Sequence, residues 1–513
     1  MKGKWNKLQK RNFGISLIVL IITIIIILIL TGTVIISFID NDIIEKSNKA
    51  VFEQTKSNIT DVCNLIDVQN ELKENLNKPQ ITVTLVKIAE DVGKTEDELT
   101  DLGYSLVDNI LYLNKGLENE EIIYNFGEEV TTPESSLDNN GVSNAAAVMK
   151  PVLGDALTPV TINEDLSETT TTADNSNWYA YIDQGTGDNK TSNWANAVTR
   201  DNSGNINGVF VWIPRYAYKI TYHNSSDKSQ GGDIDVIFVD MNNKDENGDI
   251  LPSGYIVHPA FKNGSSTGFT NGEWDKELAG IWVGKYEVSG STSALKVRPN
   301  EVSLRSVKIS DMFTALLKFD DTVKNGSNID SHMMKNSEWG AVAYLTHSQY
   351  GRNGTEVTIN DNSSYVLGSD RVNTSTTGNT TGVYDMSGAH QEFVAGYVNN
   401  GNENLQTYGG NLTNNVGISN KYKTVYTKGE EDSKENNYNA NSDKVGDAIY
   451  ETSKESSGVT AWLSDYSVFP NDSSIFFLRG GLYHSRSSAG IFYFYGNYGG
   501  AESYSSSRLV LAF

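Results

Sequence analysis

The chain has 513 residues, more than one hydrophobic core supports, so two or more structural units are expected. Its 64 acidic side chains against 41 basic ones give a net charge of −23, which argues against a nucleic-acid partner because phosphate neutralisation needs Lys and Arg. With Cys63 the one cysteine and six scattered histidines, the chain offers no disulfide framework, no CxxC pair and no HExxH metal motif.

Lys2, Lys4, Lys7, Lys10 and Arg11 lead into an uncharged run from Phe13 to Ile39 that includes SLIVLIITIIIILIL. About twenty apolar residues cross a bilayer as a helix, so residues 13–39 are predicted to span a membrane once. Basic residues on the leading side predict a cytoplasmic N-terminus and an extracellular remainder, hence a single-pass protein of the cell membrane. Beyond Asn41, the residues Ile44, Val51, Ile59, Val62, Ile66 and Leu72 keep helical spacing and predict a stalk, with Cys63 as a small packed residue in it. The order of basic segment, Gly14 and long apolar helix resembles a type IV prepilin leader. That resemblance implies a leader at 1–14 cut between Gly14 and Ile15, a transmembrane helix and stalk at 15–76, and pilin-like assembly; Val19 stands where the family usually has Glu.

Pro79 ends the helical pattern. ITVTLVKIA then has strand character, TEDELTDLGYSLVD reads as an acidic helix and ILYL and IIYNF as short apolar runs, so 77–127 is expected to be a small pilin-like α+β region. From 128 to 205 the composition shifts to Thr, Ser, Asn, Asp and Gly, with few apolar residues to bury, which predicts a polar linker. NWYAY and SNWANAV within it supply aromatic anchors that dock on the domain that follows.

After residue 206, VFVWIPRYAYKITY, IDVIFVD, SGYIVHPAF and GIWVGKYEVSG read as aromatic and β-branched strands between Gly, Asn and Asp turns. SHMMKNSEWGAVAYLTHSQYG predicts a helix with Met333, Trp339, Val342, Ala343 and Leu345 on one face. DMNNKDENGD, from Asp240 to Asp249, has the oxygen-rich look of a calcium loop. Gly254 occupies the place of the bidentate Glu, so a solvated turn is the expectation. The stretch RGGLYHSRSSAGIFYFYGNYGGAESYSSSRLVLAF, from Arg479 to Phe513, sets Tyr, Ser, Gly, His and Asn inside a hydrophobic frame. Antibody contact loops use the same set, because Tyr gives stiff contact area and the small polar residues give adaptable hydrogen bonds.

Four segments in order, GIWVGKYEVS, SEWGAVAYL, GVYDMSGAHQEFVAGYV and the Arg479-Gly480-Gly481 to Arg508 stretch, resemble the formylglycine-generating enzyme family over about 206–513. Gln391 departs from a family Trp and Ser507 from a family aromatic. The resemblance implies a variant of the C-type lectin fold, so the whole chain is expected to be α+β, a C-type lectin-like C-terminal domain on a long N-terminal transmembrane and stalk helix. The enzymes of that family bind copper through two cysteines, and neither has a counterpart here, so the expectation is a protein that is not an enzyme and has no cofactor, with calcium left open and no ligands assigned.

The C-terminal pattern is similar to the variable proteins of diversity-generating retroelements. That likeness implies ligand-binding positions at Tyr483, His484, Ser485, Tyr493, Tyr495, Gly496, Asn497, Tyr498, Gly500, Glu502 and Tyr504. It also implies a fixed frame of Ala489, Gly490, Phe492, Phe494, Arg508, Val510 and Leu511. The function expected is a surface-displayed, membrane-anchored receptor or adhesin for a protein or glycan. Its rivals are a pilin-like structural subunit and a modifying enzyme of the formylglycine type.

Overall fold

The computed structural model describes residues 82–107, 109–113, 121–125, 148–186, 191–362, 369–414, 419–454 and 457–513, with Ile59, Val62, Cys63 and Ile66. The chain divides into two compact units, Met1–Leu137 and Asp138–Phe513.

In the first unit, Thr84 caps α1 (Leu85–Asp91) by accepting from the Lys87 amide at 3.1 Å, so the second half of ITVTLVKIA is helix where strand was expected. A capping box opens α2 (Glu96–Asp101): the Glu98 amide donates to Thr95 Oγ1 and the Thr95 amide to the Glu98 carboxylate. The helix ends sooner than its acidic run suggests, because Gly103 at φ +92° turns the chain into a strand. That strand, β1 (Tyr104–Val107), pairs antiparallel with β2 (Ile110–Leu113), which pairs with β3 (Glu121–Asn125). Ile59, Cys63 and Ile66, spaced along one helical face, are buried with Ile88, Leu99, Tyr104 and Leu111, so Cys63 is a core residue.

The membrane expectation is corrected. Among the described residues the longest α-helix has 12 residues and none is long and apolar enough to cross a membrane, which conflicts with a single-pass protein carried on a long N-terminal helix. The run 13–39, the leader and most of the stalk lie outside the described residues. The α+β expectation is corrected as well: strand exceeds helix, 31% against 20%, and the fold is mostly sheet.

The second unit is built on two sheets. The first contains β4 (Thr158–Ile162), β5 (Glu168–Thr170), β6 (Asn196–Arg200), β7 (Ile206–Pro214), β11 (Gly280–Gly284), β14 (Asp330–Met333) and β22 (Leu509–Ala512), in the order β14-β22-β11-β7-β6-β4-β5. The second contains β15 (Gln391–Asn399), β16 (Thr424–Thr427), β17 (Ser457–Val459), β18 (Tyr466–Val468), β19 (Phe476–Gly480) and β20 (Gly490–Asn497), in the order β16-β15-β19-β20-β18-β17, with β21 (Ser505–Ser507) beside β15. Smaller pairings are β8 (Tyr216–Tyr222) between β9 (Gly232–Phe238) and β10 (Ile256–Val257), and the hairpin β12 (Ser289–Ser291) with β13 (Ala294–Lys296). The main helices are α3 (Ile309–Leu316) and α4 (Asn336–His347). All of α4 is buried, not one face of it, and its Trp339 indole N–H donates to the Ile491 carbonyl of β20 at 2.8 Å.

Much of the stretch read as linker belongs to this unit, since β4, β5 and β6 extend the first sheet. A few large rings supply the burial that average composition hides: Trp178 donates to the Asn196 carbonyl at 2.8 Å, Tyr181 to the Trp212 carbonyl at 2.9 Å and Trp194 to the Tyr350 carbonyl at 3.1 Å. The Asp240–Asp249 stretch spends its carboxylates on its own turns, Asp240 Oδ1 accepting from the Asn242 and Lys244 amides and Asp245 Oδ1 from those of Asn247 and Asp249.

Arg508, fully buried, sits where the chain passes from one sheet to the other. Its guanidinium makes a two-pronged ion pair with Glu392 of β15 and donates to the carbonyls of Gly284 at 2.8 Å and Tyr384 at 2.9 Å. Removing one partner of such a pair leaves a buried unpaired charge. Arg508→Met is therefore expected to lower unfolding free energy by about 3–5 kcal/mol in urea melts, and Arg508→Met with Glu392→Leu to recover much of that loss.

At the edge of the first sheet, burial pulls the His332 imidazole down, but the carboxylates of Glu338, 3.0 Å from Nε2, and Asp330 outweigh it and hold the pKa at about 9. A proton held more tightly in the folded state stabilises fully below the ordinary histidine value and is lost as pH rises through the folded one. Unfolding free energy should accordingly fall between pH 6.5 and pH 9 by about 1–3 kcal/mol, and His332→Gln should flatten that slope in melts at pH 6.5, 7.5 and 9.

Candidate functional site

Strand alternation divides β20. Phe492 and Phe494 are fully buried, while Tyr493 and Tyr495 lie on the opposite face. Tyr495, Tyr498 and Tyr504 are 38%, 37% and 39% exposed, whereas Tyr493 is 4% exposed and its hydroxyl accepts from Gln391 Nε2 at 2.7 Å. Tyr466 of β18 leans on both, 6.5 Å from Tyr493 and 6.3 Å from Tyr495 between ring centroids. The ring of Tyr408 meets Tyr498 edge to face at 5.1 Å, with the Lys308 ammonium 5.5 Å from the centre of the Tyr408 ring.

Glu502 organises the loop between β20 and β21. Its Oε2 accepts from Asn497 Nδ2 at 2.9 Å and from Ser505 Oγ at 3.3 Å, and Asn497 Oδ1 accepts from the Gly499 amide at 2.7 Å. Partial burial, then the neighbouring Glu502 carboxylate, pushes the Tyr498 and Tyr504 phenols up, so both hydroxyls stay protonated. The result is two outward rings, Tyr498 and Tyr504, beside one carboxylate, with Tyr495 a third exposed ring on β20.

The remaining positions differ. Tyr483 is half-buried, its amide donating to the Ala389 carbonyl at 2.7 Å and its ring 4.9 Å from that of the exposed His484. Ser485 serves its own turn, Oγ accepting from the Leu482 amide at 3.1 Å. Gly496 and Gly500 are both buried, but backbone closes off Gly496 whereas only the exposed Tyr498 side chain stands over Gly500. A Cβ at Gly496 would stand 2.7 Å from the Ser474 carbonyl oxygen and 3.0 Å from Pro470 Cα, and one at Gly500 would strike the Tyr498 ring at 2.2 Å. The segment 389–391 touches all three parts of the stretch, through Ala389 to Tyr483, Gln391 to the Tyr493 hydroxyl, and the Gln391 amide to the Tyr504 carbonyl at 3.1 Å.

Beneath the surface the frame is locked. Arg479 donates to Asn336 Oδ1 at 3.2 Å and to the carbonyls of Asp447 and Ala448, and its guanidinium lies 5.4 Å from the centre of the Trp339 ring. Asp465, pushed well up by burial, accepts from the Phe492 amide at 2.8 Å, and a Cβ at Gly490 would come within 2.1 Å of its carboxylate, so that position must be glycine. Ser507, where an aromatic was expected, donates from Oγ to the Phe393 carbonyl at 2.9 Å. Tyr408, Tyr466 and Gln391 were not among the sequence candidates. Gln391 alone carried a signal, as a departure from the family pattern.

No group of three or more His, Cys, Asp or Glu among the described residues could hold a metal ion. Compared with protein-family models and with curated proteins, the chain matches none.

The burial contrast predicts which positions tolerate change. Gly496→Ala should cost about 1–3 kcal/mol by forcing backbone apart, whereas Tyr495→Ala should cost less than about 1 kcal/mol, both read as midpoint shifts in urea melts.

Proposed function

We propose that the chain is a recognition protein without catalytic activity, whose second unit is a C-type lectin-like domain resembling the formylglycine-generating enzyme family and retroelement variable proteins. Its ligand, a protein or glycan, meets the surface of Tyr495, Tyr498, Glu502 and Tyr504. The observation that carries this reading is the exposure of three tyrosines on a stretch braced by buried Gly496, Asn497, Gly499 and Gly500 and by the hydrogen bonds of Asn497 with Glu502 and Gly499. A rigid support lets aromatic rings bind with little further ordering cost, and tyrosines of this kind act as central anchors. Glu502 adds an acceptor beside Tyr498 and Tyr504, which favours a ligand group that donates hydrogen bonds or carries positive charge. The unit also has no cysteine, so it offers no thiolate for copper or redox chemistry.

The test is binding of the full chain to arrays of glycans and peptides. Tyr495→Ala with Tyr498→Ala is expected to weaken any specific interaction at least about tenfold while the melting curve stays within a few degrees, and Glu502→Gln to weaken it less. Undiminished binding by the double variant would place the contact elsewhere. A reverse-transcriptase gene next to this one, with a near-copy of the end of this reading frame differing at adenines, would support the retroelement relationship.

A further inference from the structure

Beside the tyrosine surface runs a segment from outside the tail, residues 302–308. Leu304 donates its amide to the Val288 carbonyl at 2.7 Å, and Ser306, held at φ +58°, donates its amide to the Glu502 carbonyl at 2.8 Å. The backbone of Arg305 is thus fixed on both sides, while its side chain is exposed. Its Nη1 lies 3.2 Å from His390 Nε2. A guanidinium only donates, so Nε2 presents its lone pair and the ring proton sits on Nδ1, 3.2 Å from Ser303 Oγ. His390 is 1% exposed, and burial, then the Arg305 charge, lowers its pKa to about 4, so it is a neutral acceptor at pH 7. The His390 ring meets that of Tyr483 edge to face, 6.3 Å between centroids. Arg305 is therefore tied to the Tyr483 turn through His390 and to the Glu502 loop through Ser306.

What Arg305 lacks is an acid. Its bond to His390 is the one side-chain hydrogen bond it makes among the described residues, and no carboxylate there pairs with it. Arg215, Arg298 and Arg508 by contrast each pair with a glutamate, and with 64 acidic side chains the chain is not short of acids. Glu502 spends its carboxylate on Asn497 and Ser505. Lys308, three residues on, is a second exposed cation, its ammonium 5.5 Å from the centre of the Tyr408 ring. With Nη1 given to His390, the Nε and Nη2 edge of the Arg305 guanidinium remains, a planar fork that matches the two oxygens of a carboxylate.

We propose that Arg305 is a carboxylate-binding position at the margin of the tyrosine surface, taking an Asp or Glu side chain of an acidic peptide segment on its Nε and Nη2 edge. Lys308 adds attraction without a fork. Arginine and tyrosine on a rigid support are the residues that dominate contacts with proteins, and acidic segments are read by arginine, which favours a peptide over a sugar acid. The choice of a peptide rests on the reading of the tyrosines as a recognition surface, whereas the carboxylate position rests on Arg305 and His390. An amide in place of the carboxylate would bring one acceptor and no charge.

The experiment titrates the full chain at pH 7 with two blocked octapeptides, Gly alternating with Glu and Gly alternating with Gln, followed by calorimetry at low and at physiological salt. Saturable binding of the Glu peptide is expected, weaker as salt rises, with the Gln peptide at least about tenfold weaker. Arg305→Gln should weaken the Glu peptide at least about fivefold, and Arg305→Lys, which keeps the charge and loses the fork, should fall between that variant and the unaltered chain. Absence of saturable binding, equal affinity for the Gln peptide, or undiminished affinity in Arg305→Gln would each overturn the proposal. A lower melting temperature in Arg305→Gln with affinity unchanged would also overturn it, leaving Arg305 as a support for His390. Tyr495→Ala with Tyr498→Ala reports on the tyrosine surface separately: an acidic ligand lost in that variant but held undiminished by Arg305→Gln would overturn the carboxylate position and leave the tyrosine reading standing.

Discussion

The ion pair between Arg508 and Glu392 is the point at which the second unit is held together. Burying a guanidinium and a carboxylate removes both from water, a cost recovered only when geometry is good and the remaining donors find acceptors. Here two prongs reach the carboxylate, and the carbonyls of Gly284 and Tyr384 take further donors. Burial opposes the charge on Arg508, and the Glu392 carboxylate prevails, raising its pKa further. Because Glu392 belongs to β15 in one sheet and Gly284 to β11 in the other, a single side chain fixes the place where the two sheets meet. The tail of the chain therefore belongs to both sheets: β20 and β21 lie in the second, β22 is an interior strand of the first, and the loop bearing Tyr498, Glu502 and Tyr504 joins β20 to β21.

That arrangement explains how far the sequence could be read. Phe492 and Phe494 against Tyr493 and Tyr495 is a period of two, legible as strand with an inner and an outer face. The period cannot say that Tyr493 is covered, because its cover, Gln391 and Tyr466, comes from residues far away in the chain. Gly490 looked like part of a fixed frame by resemblance alone, and the reason proves to be the Asp465 carboxylate pressed against it. Gly496 and Gly500 were placed among variable positions by the likeness to retroelement variable proteins, yet the backbone of Ser474 and Pro470 leaves no room for a side chain at Gly496. The linker reading failed in the other direction: an average over Thr, Ser and Asn says little when Trp178, Tyr181 and Trp194 do the burying and the polar strands pair at a sheet edge. The α+β reading came with the family resemblance and with a few helices among many short strands, and the strands prevail, 31% against 20% helix.

Histidine shows the same limit in one residue type. Scattered spacing offers no metal motif and says nothing about protonation. Burial against Tyr216 and Phe261 lowers His258 to about 3, and burial, then the Arg305 charge, lowers His390 to about 4, while two carboxylates raise His332 to about 9. Neighbours brought in by the fold decide each case, so the same side chain is neutral filler in one place and a held cation in another.

A surface that is to vary without unfolding its support needs positions whose side chains do no packing, joined by positions whose side chains cannot change. The described tail has this division at single-residue resolution. Tyr495, Tyr498 and Tyr504 could each exchange ring for polar group with loss of only partial contacts, while Gly496 fixes the backbone by close approach to Ser474 and Pro470 and Asn497 by hydrogen bonds to Glu502 and Gly499. Position 502 belongs to both classes, since its carboxylate braces the loop and also faces the tyrosine hydroxyls. Exchange at the rings would therefore leave the loop in place, whereas change at Glu502 would alter the shape of the loop that carries them.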